Sequence, residues 1–318
     1  MSDLLGVGLM EAVTRAVIGP GLMGHGIALV MAKVPGDVWL CGESDAVLAV
    51  AMTRIDQSLQ QLSRYDLVQD TDAIAARIRP TTDLAQAVES ACFVVEAVPE
   101  DLALKQMLFA DIERLAPADA ILATNSSGLP IAQSAARVEN KARVVGSHFF
   151  LPAQIIPLVE VSRGTETSDE TMQWTYDHWR ACGKEPIRIE KDLPGYVANR
   201  MQGALVREAT HLLAEGVANA EDIDKAVRVG FGLRYLVSGP LEQRDLGGLD
   251  LHVALAGELW PHLDASAGPF PMVKEMVARG ELGLKAGKGF YDWSGLDEDE
   301  VRVEKYEALL KLMASLRL

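Results

Sequence analysis

The chain has 318 residues, 49% of them apolar, and carries 45 acidic against 30 basic side chains for a formal net charge of -15. That length and apolar content support a sizeable core spread over two domains and argue against disorder, while the acidic balance argues against nucleic acid or an anionic membrane as partner. Cys41, Cys92 and Cys182 have neither disulfide nor metal-ligand spacing, no apolar run approaches the roughly 18 residues of a membrane span, and no basic leader precedes an apolar stretch, so a cytoplasmic location is expected.

Residues 1 to about 13 read as a short appended helix or lead. The first strand is expected over 13–18, and Gly19-Pro20-Gly21-Leu22-Met23-Gly24 follows it directly and opens a helix over 24–33. A strand, a glycine turn and a helix start form the cradle of a dinucleotide pyrophosphate: Gly19 permits the turn and Gly21 lets backbone approach the phosphates. Gly24 lets helix and strand pack closely, and the helix N–H groups, with Leu22 and Met23 at its entrance, face the anion. A second strand over 37–41 and a long amphipathic helix over 46–62 come next. Short apolar runs over 92–97, 121–124, 143–146, 158–161 and 186–189 supply five more strands. Strands alternating with helices predict a doubly wound, mostly parallel α/β sheet of the Rossmann type. Beyond Lys191-Asp192-Leu193-Pro194-Gly195 the spacing turns helical, with patterns over 221–229, 251–259, 271–277 and 301–316. The expected organisation is a dinucleotide-binding domain over 1–190 and an all-α domain over 191–318.

In such sheets an acidic side chain at the end of strand two accepts hydrogen bonds from the adenosine ribose. Here Gly42 holds that place and Glu43 follows, with no arginine nearby for a 2′-phosphate, which favours NAD over NADP. Glu43 as a plain surface loop residue is the alternative.

Several motifs recur in order: the glycine loop, Val94-Val95-Glu96-Ala97-Val98-Pro99-Glu100, Thr124-Asn125-Ser126-Ser127, Gly146-Ser147-His148-Phe149-Phe150, Pro157-Leu158-Val159-Glu160-Val161, Pro194-Gly195-Tyr196-Val197-Ala198-Asn199-Arg200, Gly239-Pro240-Leu241 and Gly287-Lys288-Gly289-Phe290-Tyr291-Asp292. Together they resemble the 3-hydroxyacyl-CoA dehydrogenase family over about residues 15–293. Oxidising a secondary alcohol needs a base for the hydroxyl proton while hydride leaves for the nicotinamide. The resemblance gives that role to His148, with Glu160 as the carboxylate that orients its ring. It gives Ser127 and Asn199 the reacting oxygen and the substrate, and sets Glu100, Lys105 and Asn125 beside the cofactor. Plain alternatives remain: Ser127 as a turn residue, Asn199 as a helix cap, and Glu100 with Lys105 as a surface pair. His25, His178, His211, His252 and His262 have no partner pattern and read as structural or surface residues. The resemblance also implies a homodimer formed through the helical domain.

Three departures bear on substrate. Leu151 stands where the family has an asparagine after the histidine. The hairpin over 46–74, which contacts CoA in the family, holds only Arg54 and Arg64 as cations. Gly128 and Leu233-Arg234-Tyr235 are similar to relatives that oxidise small 3-hydroxy acids or alcohols without CoA, such as the gulonate, carnitine and pyridoxine-breakdown dehydrogenases. The leading expectation is oxidation of an L-3-hydroxyacyl-CoA, and the alternative is the same chemistry on a CoA-free substrate.

Overall fold

A computed structural model describes residues 12–316. Eight strands form one sheet: β1 (Arg15–Ile18), β2 (Val38–Cys41), β3 (Ile78–Thr81), β4 (Phe93–Glu96), β5 (Ile121–Thr124), β6 (Val144–Phe149), β7 (Leu158–Arg163) and β8 (Glu185–Ile189). Their order is β3-β2-β1-β4-β5-β6-β7-β8, parallel throughout except between β6 and β7. The chain works outward from β1 in one direction and then restarts at β4 on its other side. The carboxyl ends of β1 and β4 therefore flank the crevice where open sheets bind ligands. β1, β4 and β5 are buried along their whole length, as a sheet covered on both faces requires.

β3 lies outside every strand expected from sequence. Ile78-Arg79-Pro80-Thr81 is short, charged and holds a proline, which only an edge strand tolerates. The expected strand over 143–146 extends to Phe149, so His148 lies in β6 itself.

The first unit's helices are α1 (Gly24–Met31), α2 (Asp45–Arg64), α3 (Thr71–Ala76), α4 (Leu84–Val88), α5 (Leu102–Leu115), α6 (Ile131–Ser134) and α7 (Asp169–Ala181). α1 is buried on all sides, whereas α2 is amphipathic and turns Leu48, Ala51, Ile55, Leu59 and Leu62 inward. The second unit, Asn199–Tyr306, is helical: α8 (Ala198–Ala214), α9 (Ala220–Lys225), α10 (Gly232–Tyr235), α11 (Pro240–Gly247), α12 (Leu249–Leu259) and α13 (Pro271–Ala278). A π-helical turn, Ala226–Phe231, breaks the helix expected over 221–229.

Two features differ from a simple split at 190. The first unit runs on to Ala198, and it regains the chain from Glu307. The reason lies in the last helix, α14 (Glu298–Leu316): Leu310 and Met313 are buried in the core around α1 and α2. No helix among the described residues is long and apolar enough to cross a membrane.

Candidate active site

Gly19 ends β1 with φ +101°, and a Cβ there would lie 2.7 Å from the Ala97 carbonyl oxygen beyond β4. A Cβ on Gly24 would fall 1.8 Å from the Gly19 carbonyl oxygen, so neither position admits a side chain. At Gly21 a Cβ would meet nothing within 4 Å, and the space above the loop is open. Among the described residues, six other helices begin with a side-chain cap, from Ser44, Asp83, Asp101, Ser168, Asn219 and Asp297. α1 begins at Met23 with no side-chain cap and no acid in its first turn. Its N–H donors are left for an anion from outside, and the residues present fit a dinucleotide pyrophosphate. Leu22 is exposed and Met23 half-buried at this entrance. His25 donates through Nδ1 to the Gly21 carbonyl oxygen at 2.9 Å, and burial lowers its pKa, which keeps the ring neutral beside the loop.

Glu43 is exposed just past β2. The glycine before it has a steric cause, since a Cβ on Gly42 would lie 2.7 Å from Pro20 Cγ. The proline of the loop thus excludes a side chain at the place where an aspartate was expected.

The second part of the site is built by strand register. β6 and β7 run antiparallel with His148 directly opposite Glu160, where cross-strand side chains are close neighbours. His148 Nδ1 lies 2.8 Å from Glu160 Oε2, and both side chains are buried. Glu160 Oε1 accepts the backbone N–H groups of Val197 at 3.0 Å and Ala198 at 2.8 Å. An ionised carboxylate only accepts, so Nδ1 carries the hydrogen of this bond, and in the neutral ring Nε2 is then the nitrogen with the lone pair. Tyr196, buried and held at φ +47°, packs its ring 5.5 Å from that of His148, and Phe150 approaches it edge-on at 4.7 Å. Asn125 Oδ1 accepts the Phe149 N–H at 2.9 Å, which ties the end of β5 to the residue after the histidine.

Ser127 is exposed on the loop after β5, and that loop is anchored from below. Ser126 Oγ donates to Glu100 Oε1, which also accepts the Gly128 N–H at 3.0 Å. Lys105 Nζ lies 3.2 Å from Glu100 Oε2 and bonds both oxygens of Glu96 at 2.7 and 2.9 Å. Glu96 accepts two further bonds, from Thr124 Oγ1 at 2.8 Å and the Val98 N–H at 2.7 Å. Burial pushes the Glu100 carboxyl up, but the bond from Ser126 and the charge of Lys105 outweigh it, and the net shift is downward. Lys105 is therefore no surface residue: it is 1% exposed, and its ammonium is committed to two carboxylates.

Glu96, Thr124 and Ser126 are the members that sequence reasoning missed. The signal was present, because an acid closing the apolar strand Phe93-Val94-Val95-Glu96 has to find a buried cation. Asn199 is the second residue of α8 and follows directly on Ala198, whose N–H Glu160 holds. Among the other histidines, His178 is fully buried and burial pushes its pKa down to about 3.

Residues 14–193 match the NAD-binding domain of 3-hydroxyacyl-CoA dehydrogenase, and residues 195–293 match its C-terminal domain. A 5-formyl-3-hydroxy-2-methylpyridine 4-carboxylate 5-dehydrogenase of Mesorhizobium japonicum is 33% identical over 301 residues, covering 93% of this chain and 95% of the relative. The mitochondrial hydroxyacyl-coenzyme A dehydrogenase of Homo sapiens is 34% identical over 287 residues, covering 87% of this chain and 90% of the relative. A crystal structure of a 5-formyl-3-hydroxy-2-methylpyridine 4-carboxylic acid 5-dehydrogenase, described as an NAD+-dependent dismutase, matches with a TM-score of 0.88 at 30% identity over 96% of this chain and 99% of that one. The chain belongs to the 3-hydroxyacyl-CoA dehydrogenase family and is an NAD-dependent oxidoreductase.

Proposed function

We propose that the enzyme oxidises the carbinol carbon of a small 3-hydroxy acid or alcohol that carries no CoA, with His148 as general base and Glu160 as its partner. The observation that carries the chemistry is the 2.8 Å contact of His148 Nδ1 with Glu160 Oε2. It leaves Nε2 to take the substrate's hydroxyl proton as the C–H hydride departs. Bound NAD supplies the hydride acceptor, with Gly19, Gly21, Leu22, Met23 and Gly24 holding its pyrophosphate and Glu43 its ribose. Glu160 then faces the imidazolium with an oxygen already in place, while its other oxygen stays on the amides of Val197 and Ala198. Ser127 would donate to the reacting oxygen, and Asn199 would hold the substrate from the start of α8. Glu100, Lys105 and Asn125 act behind this line, because their contacts fix the Ser127 loop and the backbone after His148.

Absence of CoA is supported by charge. The α2–α3 hairpin carries Asp45, Asp56, Asp66, Asp70 and Asp72 against Arg54 and Arg64, and Arg64 pairs with Glu307 at 3.4 Å. Several phosphate charges would meet a net acidic surface there. Leu151 is 49% exposed and offers no polar atom, and the likeness to the pyridine carboxylate dehydrogenases spans nearly the whole chain. The second reading is the L-3-hydroxyacyl-CoA itself, favoured by the Gly287–Asp292 motif and by the human relative. Turnover on 3-hydroxybutyryl-CoA compared with free 3-hydroxy acids and pyridine alcohols, followed by NADH absorbance, separates the two. Preference for the thioester by tenfold or more in kcat/KM would overturn the CoA-free reading.

A homodimer is part of the same proposal. Val237 and Leu241 are 87% and 82% exposed in the single chain, an arrangement that suits an apolar interface in the helical unit. Light scattering at the mass of one chain would contradict it.

A further inference from the structure

A cavity of about 290 Å³ opens in the first unit, lined by Lys33, Gln154, Cys182 and Lys184 among apolar groups that include Leu62 and Ile155. It is far larger than the roughly 15 Å³ that one water needs. Lys184 is 4% exposed and donates through Nζ to the carbonyl oxygens of Ala153 at 2.6 Å and Ile156 at 2.7 Å. Two carbonyls satisfy two of its hydrogens but neutralise none of its charge. Lys33 is half-buried on the same cavity. Among the described residues, no carboxylate oxygen lies within 4.0 Å of either ammonium.

A buried ammonium and a half-buried one on the same cavity, without an anion, are expensive to hold there. The remaining titratable group on the cavity does not supply the missing charge, since burial pushes the Cys182 thiol up to about 12. Burial lowers both lysines as well, Lys184 to about 7, with the charge of Lys33 adding to the effect.

We propose that this cavity is a second ligand site, which takes a small oxyanion with two negative charges against the ammonium groups of Lys33 and Lys184. Its place in the chain gives it reach. The carbonyls held by Lys184 belong to the 150–157 connection, which leads from the strand of His148 to the strand of Glu160. A bound dianion would thus draw on the same ammonium that fixes this connection.

The test is calorimetric titration of the NAD-saturated enzyme, with the glycine loop already filled, at constant ionic strength. Inorganic phosphate, malonate and acetate are the three probes. Saturable binding of one equivalent of phosphate or of malonate, tighter than acetate by tenfold or more, is the expected result. A preference between the first two tells whether the natural ligand bears a phosphate or two carboxylates. Lys33→Met should weaken the binding at least tenfold, and since the Lys33 ammonium bonds no backbone carbonyl among the described residues this variant keeps the test open if Lys184→Met does not fold. No saturable binding of either dianion, or an unchanged affinity in Lys33→Met, would overturn the proposal.

Discussion

Two buried carboxylates of the same sheet, Glu96 at the end of β4 and Glu160 in β7, are both hydrogen-bonded through both oxygens, and the proposed mechanism puts them to opposite uses. Glu96 receives four bonds, two of them from Lys105, whose ammonium turns to Glu100 and the Val98 carbonyl for the rest. Glu96 and Lys105 are closed off from solvent, at 0% and 1% exposure. Glu160 receives two backbone N–H bonds and one from His148 Nδ1, and the partner it fixes has a second nitrogen. A saturated pair makes structure, whereas a pair whose partner keeps a second ring nitrogen has an atom left to take a proton.

The comparison can be broken from either side. The largest effect is expected at the open pair. Glu160→Gln keeps the shape but removes the charge that faces the imidazolium, and kcat should fall by about 10²–10⁴. A fall below about threefold in stopped-flow NADH formation would move the proton acceptor elsewhere. Next comes the closed pair. Lys105→Met leaves Glu96 buried without its cation and should destabilise the first unit by about 3–5 kcal/mol in urea unfolding, as broken buried pairs do. An unchanged midpoint would show that the cluster is not part of the framework.

The smallest effect is a pH slope. Burial holds Lys184 at about 7 in the folded chain, against about 10.4 when unfolded. Between those values the unfolded state binds more protons, so this group's contribution to stability rises with pH and is least below about pH 7. In phosphate-free buffer, wild-type stability should therefore increase from about pH 6.5 to about pH 9 relative to Lys184→Met. Parallel pH profiles would contradict the burial of an unpaired ammonium.

Much of the sheet could be read in the chain, because β1, β4 and β5 are apolar runs bounded by turn signals, as buried parallel strands must be. β3 could not, since Arg79 and Pro80 hide a strand that needs only one neighbour. His148 and Glu160 were recognisable as types and by resemblance, but their contact depends on an antiparallel register between β6 and β7 that no local signal sets. The resemblance sets Lys105 beside the cofactor, and its five-residue spacing from Glu100 also suits a surface pair. What claims it is Glu96, through the turn from β4 into α5, and sequence separation cannot rank two carboxylates. The return of α14 to the first unit was likewise hidden, because Leu310 and Met313 have the same spacing whichever core they enter.

The division between the closed and the open pair is tested most directly by His148→Gln, with kcat, NAD affinity and thermal midpoint measured on one preparation. The account predicts a loss of at least about 10³ in kcat, with NAD affinity within about twofold and the midpoint within about 3 °C of wild type, a shift of the size that about 1 kcal/mol produces in a domain of this length. A variant that keeps its turnover, or that loses it only by unfolding, would contradict the assignment of His148 as the proton acceptor.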